Sequence, residues 1–130
     1  MAVNWQDVLD WKSDQLNEIR LAGYSFLREG QYKKAILFYR ALVIMDPQNT
    51  FDIRNLGALY LEISENEEAL YYFNQALDMD PLHTITLLNK TKALLLLNRK
   101  EEAFAIARSL LKNSDRTIAN KASALIEAYS

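Results

Sequence analysis

The chain has 130 residues, half of them hydrophobic, and 15 basic against 17 acidic side chains give a formal charge of −2. That length suits one domain with a sizeable core. With no cysteine in the chain, disulfides and thiolate metal sites are excluded, which fits a reducing compartment. No basic stripe of the kind that grips a nucleic-acid backbone is present, and the mixed charges read as solvated helix faces.

In chain order, Met1-Ala2-Val3-Asn4-Trp5-Gln6-Asp7 lacks the cationic start and apolar run of a secretory signal. Residues 4–13 are helix-prone, with Trp5, Val8 and Leu9 on one side and Trp11 turned away from them. No breaker separates this stretch from Leu16, so the pattern allows a single long first helix. Trp5 and Trp11 form a candidate dimer or partner surface. The alternative packs one of them on the following helices and leaves the other partly exposed.

The apolar periodicity then predicts helices over 16–29, 32–45, 50–63, 66–79, 84–97 and 100–112. Turns fall at Gly30, Ser64 and Asn98, which tolerate turn geometry. Pro47 and Pro81 end the second and fourth of these helices. Thr50 and Thr84, or the preceding Asn49, are the expected caps of the helices that follow. A last helix over 116–129 carries Ile118, Ala122, Leu125, Ile126 and Tyr129 in one stripe, with Asp115 as its cap. Its expected role is to cover the apolar face left open before it. The longest apolar run, Leu94–Leu97, falls far short of the about 20 residues that span a bilayer. A cytoplasmic protein with no membrane insertion is expected.

Three series share one period. Pro47 and Pro81, Gly23 and Gly57, and Ala35, Ala69 and Ala103 each recur at 34 residues. A repeat of 34 residues with two helices has the tetratricopeptide length. The residues resemble that family's pattern of apolar, small and aromatic positions. The first repeat offers Ile19, Ala22, Gly23, Phe26, Ala35, Tyr39, Leu42 and Pro47. The second offers Ile53, Leu56, Gly57, Tyr60, Ala69, Phe73, Ala76 and Pro81. The third is degenerate, with Leu87, Lys90, Thr91, Leu94, Ala103, Ala107, Leu110 and Asp115. The resemblance implies an all-α, right-handed α-solenoid of three helix-turn-helix repeats in a single domain, 1–130. Within it lie an extension 4–15, repeats 16–49, 50–83 and 84–115, and a capping helix 116–129.

The segments Glu29–Asp46 and Phe51–Ala58 also resemble the small tetratricopeptide chaperones of bacterial type III secretion. That likeness implies a chaperone or adaptor that holds an apolar peptide or amphipathic helix of a secreted translocator or needle subunit. A scaffold joining folded proteins through its outer surfaces is the alternative. The family places its concave groove at the second, fifth, ninth and twelfth positions of each repeat. Here these are Asn17, Arg20, Tyr24, Leu27, Phe51, Arg54, Ala58, Leu61, Ile85, Leu88, Lys92 and Leu95. The groove is expected to be apolar with a basic accent. Only Arg20 and Asn55 echo the polar pattern by which some members clamp a terminal carboxylate.

Little points to catalysis. The one histidine, His83, sits in an expected loop, and Glu62, Glu65, Glu67 and Glu68 read as a solvated acidic corner. No phosphate loop, HExxH or nucleophile motif occurs. No enzyme activity, cofactor or metal is expected.

Overall fold

The structure, a computed structural model, describes Ala2 and residues 4–130. Residues 1 and 3 of the Met1–Asp7 stretch lie outside the described residues. Among those described there are seven helices and no strand: α1 (Trp5–Arg28), α2 (Tyr32–Met45), α3 (Thr50–Glu62), α4 (Asn66–Met79), α5 (Thr84–Leu96), α6 (Lys100–Leu110) and α7 (Arg116–Tyr129).

Side chains fix four of the starts. Asn4 accepts from the backbone N–H groups of Gln6 and Asp7, Asn49 from that of Asp52, His83 from that of Thr86, and Asp115 from that of Thr117. Thr50 and Thr84 are the first helical residues, and the caps lie one position before them. A free N–H at a helix start must find an acceptor, and at Asn49 and His83 the preceding side chain supplies it.

The turn inside each helix pair repeats atom for atom. Gly30, Ser64 and Asn98 take φ of 74°, 64° and 61°. The next residue's N–H then reaches back five positions, from Gln31 to the Phe26 carbonyl, Glu65 to Tyr60 and Arg99 to Leu94, at 2.8–2.9 Å. This is the left-handed closure by which helices commonly end.

Close approach within pairs depends on two glycines. A Cβ on Gly57 would meet the Phe73 ring at 2.7 Å, and one on Gly23 would meet Phe38 Cβ at 3.0 Å. The core then runs along the stack as three clusters. Tyr39, Leu42, Leu56 and Leu59 join α2 to α3. Phe73, Leu94 and Ala103 join α4, α5 and α6. Leu88, Ala107, Leu110, Ile118 and Ala122 join α5, α6 and α7. Each pair buries its open face against the next helix, the arrangement of a solenoid. The odd helices form one layer and the even helices the other.

Both ends depart from the repeat. The α6 helix has 11 residues where α2 and α4 have 14. The Asn113 side chain accepts from the Asp115 N–H at 2.9 Å, and α7 starts directly after. At the other end α1 has 24 residues, about 36 Å, against about 21 Å for α2. Extension and first repeat are thus one continuous helix. Every residue from Trp5 to Gln15 is exposed, so neither tryptophan packs on the first repeat.

Candidate binding groove

The odd helices present their inner faces along one furrow. Asn55, Ala58 and Asn89 lie along its middle, and Ala58 lines three adjoining cavities. The cavity between α1 and α3 has a volume of about 200 Å³ and is walled by Leu27 and Tyr32. One of about 330 Å³ between α3 and α5 is walled by Phe51, Arg54, His83 and Ile85. One of about 390 Å³ lies between α3, α5 and α7, walled by Leu61, Glu62, Lys92, Leu96, Leu125 and Tyr129. A shallower hollow of about 260 Å³ continues over Asn17, Arg20, Leu21, Tyr24 and Phe51. Tyr24 and Phe51 stand 6.4 Å apart, tilted against each other across the α1–α3 junction.

Ten of the twelve residues expected from the repeat positions line this furrow: Asn17, Arg20, Tyr24, Leu27, Phe51, Arg54, Ala58, Leu61, Ile85 and Lys92. Leu88 and Leu95 do not. They are only 3% and 4% exposed. The reason is α7, which lies where the first helix of a fourth repeat would lie and covers that side of α5. Leu88 packs with Ile118 and Ala122, and Leu95 belongs to the cluster that Leu125 and Tyr129 cover. Asn89 and Leu96, one position further along, face the furrow instead. Glu62, Leu125 and Tyr129 are further wall residues that the repeat positions do not select. The i, i+4 pair Leu125 and Tyr129 carries a signal, but a stripe on a last helix reads as cap alone.

Arg20 is not a free cation. Its guanidinium donates through Nε and one Nη to both oxygens of Asp52, at 2.7 and 2.6 Å, and reaches Asp46 at 3.1 Å. Another Nη donates to Asn17 at 3.0 Å. Asp52 is fully buried, so the pair holds repeat one to repeat two. The bond to Asp52 raises the Arg20 pKa still further, although partial burial opposes it.

The same geometry recurs 34 residues later with one change. Arg54 takes the place of Arg20, but the counterpart of Asp52 is Thr86, a buried neutral residue. Among the described residues no carboxylate lies within ion-pair distance of Arg54. Its charge therefore faces the α3–α5 cavity uncompensated.

His83 feels that charge. It is not a solvated loop residue but the cap of α5, with Nδ1 2.8 Å from Thr86 Oγ1 and accepting from the Thr86 N–H at 3.3 Å. Its pKa is pushed down from the ordinary 6.5, chiefly by partial burial and then by Arg54, while Asp80 pulls the other way. Beneath the furrow Asn55 donates to the buried Tyr39 hydroxyl at 3.3 Å. Burial and the nearby Asp52 charge push that phenol up to about 12. Tyr39 is thus a neutral support for the floor.

Among the described residues, no three His, Asp or Glu side chains gather to hold a metal ion, and no helix is long and apolar enough to cross a membrane. The furrow offers shape, apolar surface, two carboxamides and a cation. That suits recognition of a chain segment.

Comparison with known proteins agrees on the architecture. The model of the tetratricopeptide repeat family matches residues 54–122, more than half of the chain. No curated protein matches by sequence. Among solved structures, the Yersinia enterocolitica type III secretion translocator chaperone SycD superposes with a TM-score of 0.80 at 19% identity, covering 89% of this chain and 92% of its own. PcrH, from Pseudomonas aeruginosa, in complex with the chaperone binding region of PopD gives 0.75 at 22% identity, covering 90% and 92%. The second such domain of human RPAP3, in complex with the HSP70 peptide SGPTIEEVD, gives 0.78 at 23% identity, covering 88% and 98%.

Proposed function

This chain belongs to the tetratricopeptide repeat family, and from that premise we propose that it is a binding protein, not an enzyme, holding a segment of another polypeptide in its concave furrow. The observation that carries this is the furrow itself: open, mostly apolar and running over all the odd helices, with Arg54 unpaired beside Phe51 and Ile85. Such a lining selects an apolar segment that carries a carboxylate near its apolar anchors, either extended or as an amphipathic helix. Neutralising a cation left in a partly desolvated cavity favours that choice over a purely apolar one.

More narrowly, we propose a cytoplasmic chaperone of the type III secretion kind, which keeps an aggregation-prone translocator or needle subunit soluble until export. The likeness in shape to SycD and PcrH supports this. No cofactor is needed for such a role.

A scaffold working through its outer surface is the second reading. It is favoured by exposed Leu37 and Ile44 on α2 and by a cavity of about 480 Å³ between α2 and α4, walled by Val43, Ile53 and Met79. Co-expression with the products of neighbouring genes separates the two. The chaperone reading predicts that one apolar product stays soluble with the native chain and with Leu37→Glu, and precipitates with Phe51→Glu or Arg54→Glu. Loss with Leu37→Glu alone would favour the scaffold.

A further inference from the structure

We propose that the first three turns of α1 are a self-association arm, and that two copies of this chain pair through them. Trp5 and Trp11 are 71% and 62% exposed, and Val8 and Leu9 are exposed beside them. Trp5 neighbours Val8 and Leu9 at i+3 and i+4, and Val8 neighbours Trp11 at i+3. Residues at these spacings touch on a helix surface, so the four form one patch. The patch continues the stripe that packs the rest of the helix, because Leu16 and Ile19 follow on the same side and join the first core cluster. The α2 helix is too short to cover it.

Charge narrows the occupant. Asp7, Asp10, Asp14 and Glu18 run along the opposite ridge, and Lys12 is the one cation of residues 5–15. An anionic membrane or nucleic acid is therefore repelled. A second copy is not, because two apolar faces can meet while both acidic ridges stay in water. Area points the same way. At roughly 150–250 Å² for each aromatic side chain, the open parts of the two tryptophans come to about 300 Å². With Val8 and Leu9, two arms bury about 1,000 Å² in all, the lower bound for a specific interface. A dimer with a dissociation constant of about 1–100 µM is expected from an interface that small.

Both tryptophans of the chain lie on the arm, so its intrinsic emission reports this surface alone. Sedimentation velocity and tryptophan emission of the full chain are measured together from 1 to about 300 µM. The expected result is a monomer that becomes a dimer as the emission maximum shifts to the blue. Trp5→Ala with Leu9→Ala should stay monomeric, with unchanged far-ultraviolet dichroism, and the groove variant Phe51→Glu should dimerise like the native chain. A monomer throughout the range would overturn the proposal. So would a dimer that survives the double substitution or is lost with Phe51→Glu. Failure of the furrow to bind any partner would leave these outcomes untouched.

Discussion

The two positively charged residues at the fifth position of the first two repeats, identical in chemistry, have opposite fates because of one residue each. Arg20 meets a buried carboxylate, while Arg54 meets Thr86. Removing Arg20 strands the Asp52 charge in the interior, so Arg20→Ala should cost about 3 kcal/mol or more in urea unfolding. Arg20→Met with Asp52→Leu should cost much less, because no unpaired charge remains. Equal losses for the single and double variants would show that the ion pair is not what joins the repeats. His83 gives a second test at this scale. Its folded pKa lies below 6.5, so the unfolded chain binds the proton more readily. Its contribution is full above about pH 6.5 and fades as pH falls through and below that value. His83→Asn retains a capping side chain that does not titrate. Between about pH 7 and pH 5 the native chain should lose more stability than this variant. Parallel pH profiles would contradict the assignment.

At the scale of helices and turns, most of the fold was legible in the residues. The 34-residue period located the turns at Gly30, Ser64 and Asn98 and the helix pairs around them, because left-handed closure and the small-residue contact both require particular side chains. Ser64 takes that closure with a Cβ that Gly30 lacks, so Ser64→Gly should stabilise the chain by about 0.5–1 kcal/mol. No change in the urea midpoint would place the turn outside the left-handed region. What the residues did not show was where α7 lies. Leu88 and Leu95 occupy groove positions of the repeat, yet they are interior, since a helix beyond the array sets their burial. Leu88→Glu should therefore unfold the chain, at about 4 kcal/mol or more. Leu96→Glu should stay within about 0.5 kcal/mol in stability while weakening partner binding. Two soluble, equally stable variants would put Leu88 back at the surface.

At the scale of the whole molecule, the stack turns one repeated contact into a continuous furrow. Its middle was foreseeable from the family positions, which need only helical spacing. Its cationic point was not, because Arg20 and Arg54 differ only through residues 32 positions further along the chain. The wall built by Leu125 and Tyr129 was hidden for the same reason as the burial of Leu88: tertiary packing by α7 decides it. The furrow therefore extends past the third repeat onto the capping helix, and a bound segment has four helices to touch.

A photo-crosslinking amino acid at Ala58, on the furrow floor, or at Ile44, on the outer face, tests this account most directly. The complex with the co-expressed partner is irradiated and the adducts are mapped by mass spectrometry. Adducts from position 58, on an apolar segment of the partner with a nearby carboxylate, and none from position 44 are predicted. Adducts from position 44 alone would contradict it.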